Sequence, residues 1–210
     1  DKVGNFAAME TSLARMDRFN LSRTPNFEPR RGPNVPAFVG CGAGLLYLPM
    51  RPAPDAPIRD WLSKLGPLEE NFSQKTLRQW KRKHAGHRSF TVARHPLMRA
   101  HLAFAAMLGW DNLAETREVL RRTYRLPLPA EGKALPASDW GGALLAFVQW
   151  LKSNLNAQTS LPVHAIWASQ SATLQGFAQF AAPDMIARED RLSEDLTCLA
   201  QAVGAEAAPF

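Results

Sequence analysis

Cysteine is scarce in this chain: Cys41 and Cys198 are the only two, far apart and without a CxxC or Cys/His spacing. That pattern speaks against a structural zinc or a disulfide framework and favours a reducing compartment. No run approaches the roughly 18 apolar residues needed to cross a bilayer, so no membrane span is expected. No basic, apolar, small-residue leader opens the chain either. Since it begins at Asp1 and not at Met, it is read as a piece of a longer protein, and the cytoplasmic location expected here leaves room for an upstream targeting segment. A GxSxG nucleophile elbow is missing, which removes the support a hydrolase triad around Ser169 would need. RNA-recognition and helix-turn-helix signatures are missing too, so no specific nucleic-acid reading arises.

What is present is a chain of 210 residues, 46% hydrophobic, enough for one substantial core plus an arm. Its net charge of +6 suits an anionic partner: a nucleotide, an acidic polysaccharide or a nucleic acid. Residues 1–36 read as an N-terminal arm or tail of a preceding repeat plus a proline-rich linker. The pattern Asp1, Val3, Gly4, Met9, Leu13 is repeated by Asp184, Ile186, Ala187, Leu192, Leu196, and Pro25, Pro29, Pro33 and Pro36 mark the linker. Residues 37–210 form the expected main domain.

Within it, Leu45–Met50 and Phe90–Ala93 read as buried strands and Ala181–Arg188 as a third. Helices are expected over 56–65, 73–84 with Ser73 as N-cap, 96–108 opening on Pro96, 113–124, a strongly amphipathic segment capped by Ser138, and 192–203. In the amphipathic segment Trp140, Leu144, Phe147, Val148 and Leu151 recur at helical spacing and suit a core better than a base-stacking platform. The second helix carries Lys75, Arg78, Lys81, Arg82, Lys83 and His84 and reads as a solvated face, or else as a seat for an acidic polymer or nucleic acid. Gly40, Gly42 and Gly44 read as a plain turn before the first strand. The alternation predicts an α/β fold of three layers, a short parallel sheet flanked by helices.

The most informative segment runs from His87 to Phe104, where a strand ends at Arg94 and a helix opens at Pro96, with Arg99 following. Free amides at such a helix start favour an anion. This segment resembles the 3′-phosphate-binding segment of sulfotransferases, specifically the carbohydrate type whose donor is 3′-phosphoadenosine-5′-phosphosulfate (PAPS). A second block, His164, Trp167 and Gln170 followed by Asp184, Arg188 and Asp190, is similar to that family's His/Trp/Gln segment and closing strand. The resemblance covers roughly residues 45 to 203. It implies a P-loop-like architecture, a nucleotide donor held by Arg94 and Arg99, a carbohydrate acceptor, and His95 and His101 as the candidate bases that would deprotonate it. His164 matches the family's histidine before the tryptophan and is not assigned as base.

One part of the family pattern is chemically altered. The loop that should cradle the 5′-phosphosulfate reads Arg51-Pro52-Ala53-Pro54-Asp55-Ala56-Pro57. Its prolines remove amide donors, and Asp55 brings negative charge to where a dianion belongs. Arg51 can replace the charge of the family's lysine but not the amides, and Leu102 stands where the family places a serine. Three readings stay open. The first is a sulfotransferase-like domain with impaired donor binding, serving a larger chain or a polysaccharide pathway. The second is an active enzyme whose phosphate cradle comes from Gly40–Gly44 or from an upstream part. The third is an unrelated basic α/β module, non-catalytic, that binds an anionic polymer.

Overall fold

The computed structural model describes residues 35–52, 55–130, 133–206 and 209–210. The repeat, and the linker as far as residue 34, lie outside the described residues. Chain contacts group the described residues into two compact units, one made of 35–94 with Gln170–Phe210 and one of His95–Ser169.

The first unit is built on five strands: β1 (Val39–Cys41), β2 (Leu45–Tyr47), β3 (Leu68–Glu69), β4 (Arg88–Ala93) and β5 (Met185–Arg188), in the order β3-β1-β2-β4-β5. Strands β2, β4 and β5 are mutually parallel, whereas β1 runs antiparallel to both β2 and β3. The sheet is therefore mixed, which corrects the expectation of a parallel one. The cause is local. Gly42 to Gly44 turn the chain back on itself, Gly44 at φ +87° where only glycine is comfortable, so β1 and β2 close as a hairpin.

Side-chain alternation assigns the two faces of this sheet. Val39, Cys41, Leu45, Tyr47, Phe90, Val92, Met185 and Ala187 point to one face, and share a buried cluster with Ile58, Trp61 and Leu62 of α1 (Asp55–Leu65) and Leu192, Leu196 and Leu199 of α7 (Leu192–Ala202). Phe38, Leu46 and Leu48 point to the other, and meet Leu77 and Trp80 of α2 (Gln74–Lys83) and Leu174 and Phe177 of α6 (Gln170–Ala178). Helices thus cover both faces, the α/β arrangement expected from the sequence. Helix α2 begins where Ser73 predicts: its hydroxyl accepts from the Thr76 amide while the Thr76 hydroxyl accepts from the Ser73 amide. Cys41 is a packing residue, fully buried, its thiol donating weakly to the Leu62 carbonyl and shifted upward by burial.

The second unit is helical: α3 (Pro96–Gly109), α4 (Ala114–Arg122) and α5 (Trp140–Leu155) surround Phe104, Met107, Leu120, Phe147, Trp150 and Trp167. The aromatic stripe of α5 is core, as expected, with Phe147 5.4 Å from Phe104 and 6.2 Å from Trp167 between ring centroids. Ser138 does not cap α5. It lies in a 3-10 turn, and its hydroxyl donates to Asp139.

Gly40 is the tightest point of the sheet. A Cβ there would lie 2.6 Å from Trp80 Nε1 and 2.9 Å from Phe72 Cζ, both buried rings, whereas a Cβ on Gly142 of α5 would meet nothing within 4 Å. Gly40→Ala is expected to cost about 1–3 kcal/mol by overpacking, and Gly142→Ala to stabilise by roughly 0.5–1 kcal/mol through helix propensity. Urea denaturation of the two variants checks the pair; equal midpoints would show that the sheet yields at Gly40.

Candidate functional site

After β2 the chain passes through α1 to β3 on one side of the sheet, and after β4 it returns to β5 on the other. The carboxyl ends of β2 and β4 therefore flank a topological switch point, the place where open α/β sheets bind ligands. Arg94 is the first residue beyond β4. Its register partner is set by the ladder: Ala93 pairs with Arg188, so the next step brings Arg94 beside Glu189.

The guanidinium of Arg94 is engaged by the chain itself at this point. Nε donates to Glu189 Oε2 at 2.5 Å and Nη2 to Glu189 Oε1, a two-pronged ion pair whose side chains are 12% and 34% exposed. Nη1 reaches the Pro52 carbonyl at 3.4 Å. The Arg94 backbone is held as well: its N–H donates to Gln170 Oε1 at 3.0 Å, and its carbonyl accepts from Gln170 Nε2 at 2.9 Å. Gln170 thus prolongs the pairing of β4 with a side-chain amide, which explains a glutamine opening α6.

At the end of β2, Tyr47 donates its hydroxyl to Asp55 Oδ1 at 2.9 Å while its ring stacks on Phe90 at 5.1 Å. Burial, and then the Asp55 carboxylate, push the phenol well above its ordinary range. Asp55 lies in the first turn of α1, so a carboxylate of the chain itself sits at the helix end that would otherwise attract an anion. Arg51 is exposed, beside a cis peptide to Pro52. Ala53 and Pro54 of the same loop lie outside the described residues.

The remaining candidates belong to the helical unit. Arg99 is 6% exposed; Nη1 donates to the Ala168 carbonyl and Nη2 to that of Ala165 at 3.4 Å, so it ties α3 to the segment before α6. His95 caps α3, its Nδ1 accepting from the Leu97 amide at 3.3 Å, and is exposed. His101 accepts from Trp140 Nε1 at 3.3 Å. Six residues of helix separate the two histidines by about 240° of rotation, which sends them to different faces. His164 accepts from the Ile166 amide, and Trp167 donates to Asn154 Oδ1 at 3.0 Å, inside the core.

Gly40–Gly44 falls at the amino edge of the parallel strands, beside His87, with the Gly42 and Gly44 amides bonded to the carbonyls of Pro67 and Cys41. The six-residue strand β4 separates this turn from Arg94 by roughly 20 Å of chain rise. Glu189 and Tyr47 were not singled out from the sequence. For Glu189 a signal existed: it is the first residue past a strand that pairs β4 in parallel.

Comparison with protein-family models, with curated proteins and with solved structures returns no match. No helix among the described residues is long and apolar enough to cross a membrane.

Tyr47→Phe removes one hydrogen bond and is expected to cost about 1 kcal/mol near neutral pH. The raised phenol adds a pH signature of known sign. Its contribution to stability is fully present below the unfolded value near 10 and is lost as pH rises above it, where only the unfolded chain ionises readily. Denaturation midpoints measured from pH 8 to pH 11 should therefore fall more steeply for the parent chain than for Tyr47→Phe. Parallel curves would contradict the buried-phenol assignment.

Proposed function

We propose that this chain is a sulfotransferase-like domain, of P-loop-like architecture, that no longer holds PAPS and acts as a non-catalytic binding module. The observation that carries this reading is the Arg94–Glu189 pair: at the switch point, where a donor phosphate would meet the guanidinium, the chain supplies its own carboxylate. Asp55 and Pro52 support it from the other side, one placing negative charge at the start of α1 and the other removing an amide. Under this reading Arg94 and Arg99 hold the protein together, and neither His95 nor His101 deprotonates a carbohydrate hydroxyl.

The basic surface supplies the second half of the function. Residues 71–88 carry Lys75, Arg78, Lys81, Arg82, Lys83 and Arg88 and no acid, so these six charges match the net charge of +6 of the whole chain. Lys75, Arg78 and Arg82 fall on one exposed face of α2, opposite the buried Leu77 and Trp80. This face suits an anionic polymer, for which a sulfated polysaccharide is the ligand we adopt.

Titration calorimetry tests both halves. With adenosine 3′,5′-bisphosphate the parent chain is expected to give no measurable heat; micromolar binding that disappears in Arg94→Ala would instead establish a working donor site. With a sulfated polysaccharide the parent chain is expected to bind, more weakly as salt rises and more weakly in Arg78→Ala/Arg82→Ala. Absence of polymer binding at low salt would remove the module reading.

A further inference from the structure

At the amino edge of the sheet, far from Arg94, a pocket of about 250 Å3 is lined by Gly42–Gly44, His84, Gly86 and His87, together with Ala202 and Val203. Two histidines three residues apart enter it, and their hydrogen bonds define which nitrogen each can offer. His84 Nδ1 lies 3.0 Å from the Trp80 carbonyl, and His87 Nδ1 lies 3.1 Å from the His84 carbonyl. A carbonyl only accepts, so both Nδ1 atoms carry the hydrogen, and in the neutral ring each Nε2 keeps its lone pair. Metal-ligating histidines are oriented in this way, one nitrogen donating to a backbone carbonyl and the other presented to the ion.

Within a segment that is otherwise basic, the two helix ends are what favours a cation. His84 follows the last residue of α2, and Ala202 ends α7, so two helix carboxyl ends, the negative poles of their dipoles, meet at this pocket. Of the nearby lysines, Lys81 donates to the Phe180 carbonyl at 2.7 Å and Lys83 pairs with Glu69 at 3.8 Å. Both rings also pack on Trp80, His84 stacked at 4.4 Å and His87 edge-on at 5.5 Å, which limits their rotation. Among the described residues no group of three or more His, Cys, Asp or Glu gathers for a metal, so the chain offers at most these two imidazoles here.

We propose that His84 and His87 bind one borderline divalent ion, Zn2+ or Cu2+, through their Nε2 atoms, with water or a ligand from another molecule completing the shell. Imidazole is the ligand these ions prefer over oxygen-seeking Mg2+ or Ca2+. The assignment is independent of the Arg94–Glu189 pair.

The test is a Zn2+ titration of the whole chain followed by histidine NMR and by calorimetry. Without metal, both rings should show the Nδ1–H tautomer. On addition of Zn2+ the signals of His84 and His87 should move together and saturate at one equivalent, while those of His95, His101 and His164 stay in place. Mg2+ should move none of them. His84→Gln and His87→Gln should each weaken binding by roughly tenfold or more, a scale on which even outer-shell partners act. The proposal fails if the signals of His84 and His87 do not move. It also fails if Zn2+ binds the double variant as tightly as the parent chain. Because the NMR readout uses the unmodified chain, a variant that unfolds does not decide the matter.

Discussion

The pairing of Arg94 with Glu189 is the constraint around which the rest of the first unit is arranged. Two parallel strands, β4 and β5, end side by side, and the residues immediately beyond them carry opposite charges in a geometry that lets both carboxylate oxygens accept. A half-buried pair of this kind is costly to desolvate and is held only when further hydrogen bonds satisfy it. Pro52 provides one to the guanidinium, and Gln170 secures the backbone that carries it. The same contacts join the loop after β2, the end of β4, the start of α6 and the end of β5. At the switch point the guanidinium therefore meets groups of its own chain.

The two edges of the sheet differ in consequence. At the carboxyl edge three pairs of polar groups face each other within the chain: Arg94 with Glu189, Tyr47 with Asp55, Arg188 with Asp190. At the amino edge the β1–β2 turn, the end of α2 and the end of α7 leave a pocket with two imidazole lone pairs. Basic charge is carried along α2 between them, outside the buried face that Leu77 and Trp80 make with the sheet. In the proposed reading, binding of other molecules therefore falls away from the switch point.

Much of this architecture was legible in the sequence because long-range packing and local propensity agree. The helices over 55–65, 74–83, 96–109, 114–122 and 192–202 follow apolar spacing and start signals such as Ser73 and Pro96. The strand ending at Ala93 was visible as well. What escaped was short or locally ambiguous. β1 has three residues with a glycine at its centre, there because Trp80 and Phe72 leave no room for a side chain, and such a segment carries no hydrophobic pattern. β3 has two residues. α6 contains Gly176 and buries Ala172, Leu174 and Phe177 without a marked polar face. For the candidate site, the arginines were identifiable by position, but their partners were not. Whether Arg94 meets a ligand or a carboxylate depends on strand register, and Arg99 meets carbonyls that lie 66 and 69 residues away in the chain.

Arg94 and Glu189 are each other's ligand. A double-mutant cycle with Arg94→Met, Glu189→Gln and the double variant, read by chemical denaturation, measures this directly. The account predicts a coupling energy above about 1 kcal/mol, more than exposed ion pairs usually give. A coupling near zero would mean that the two side chains do not depend on each other, leaving Arg94 available for an anion from outside.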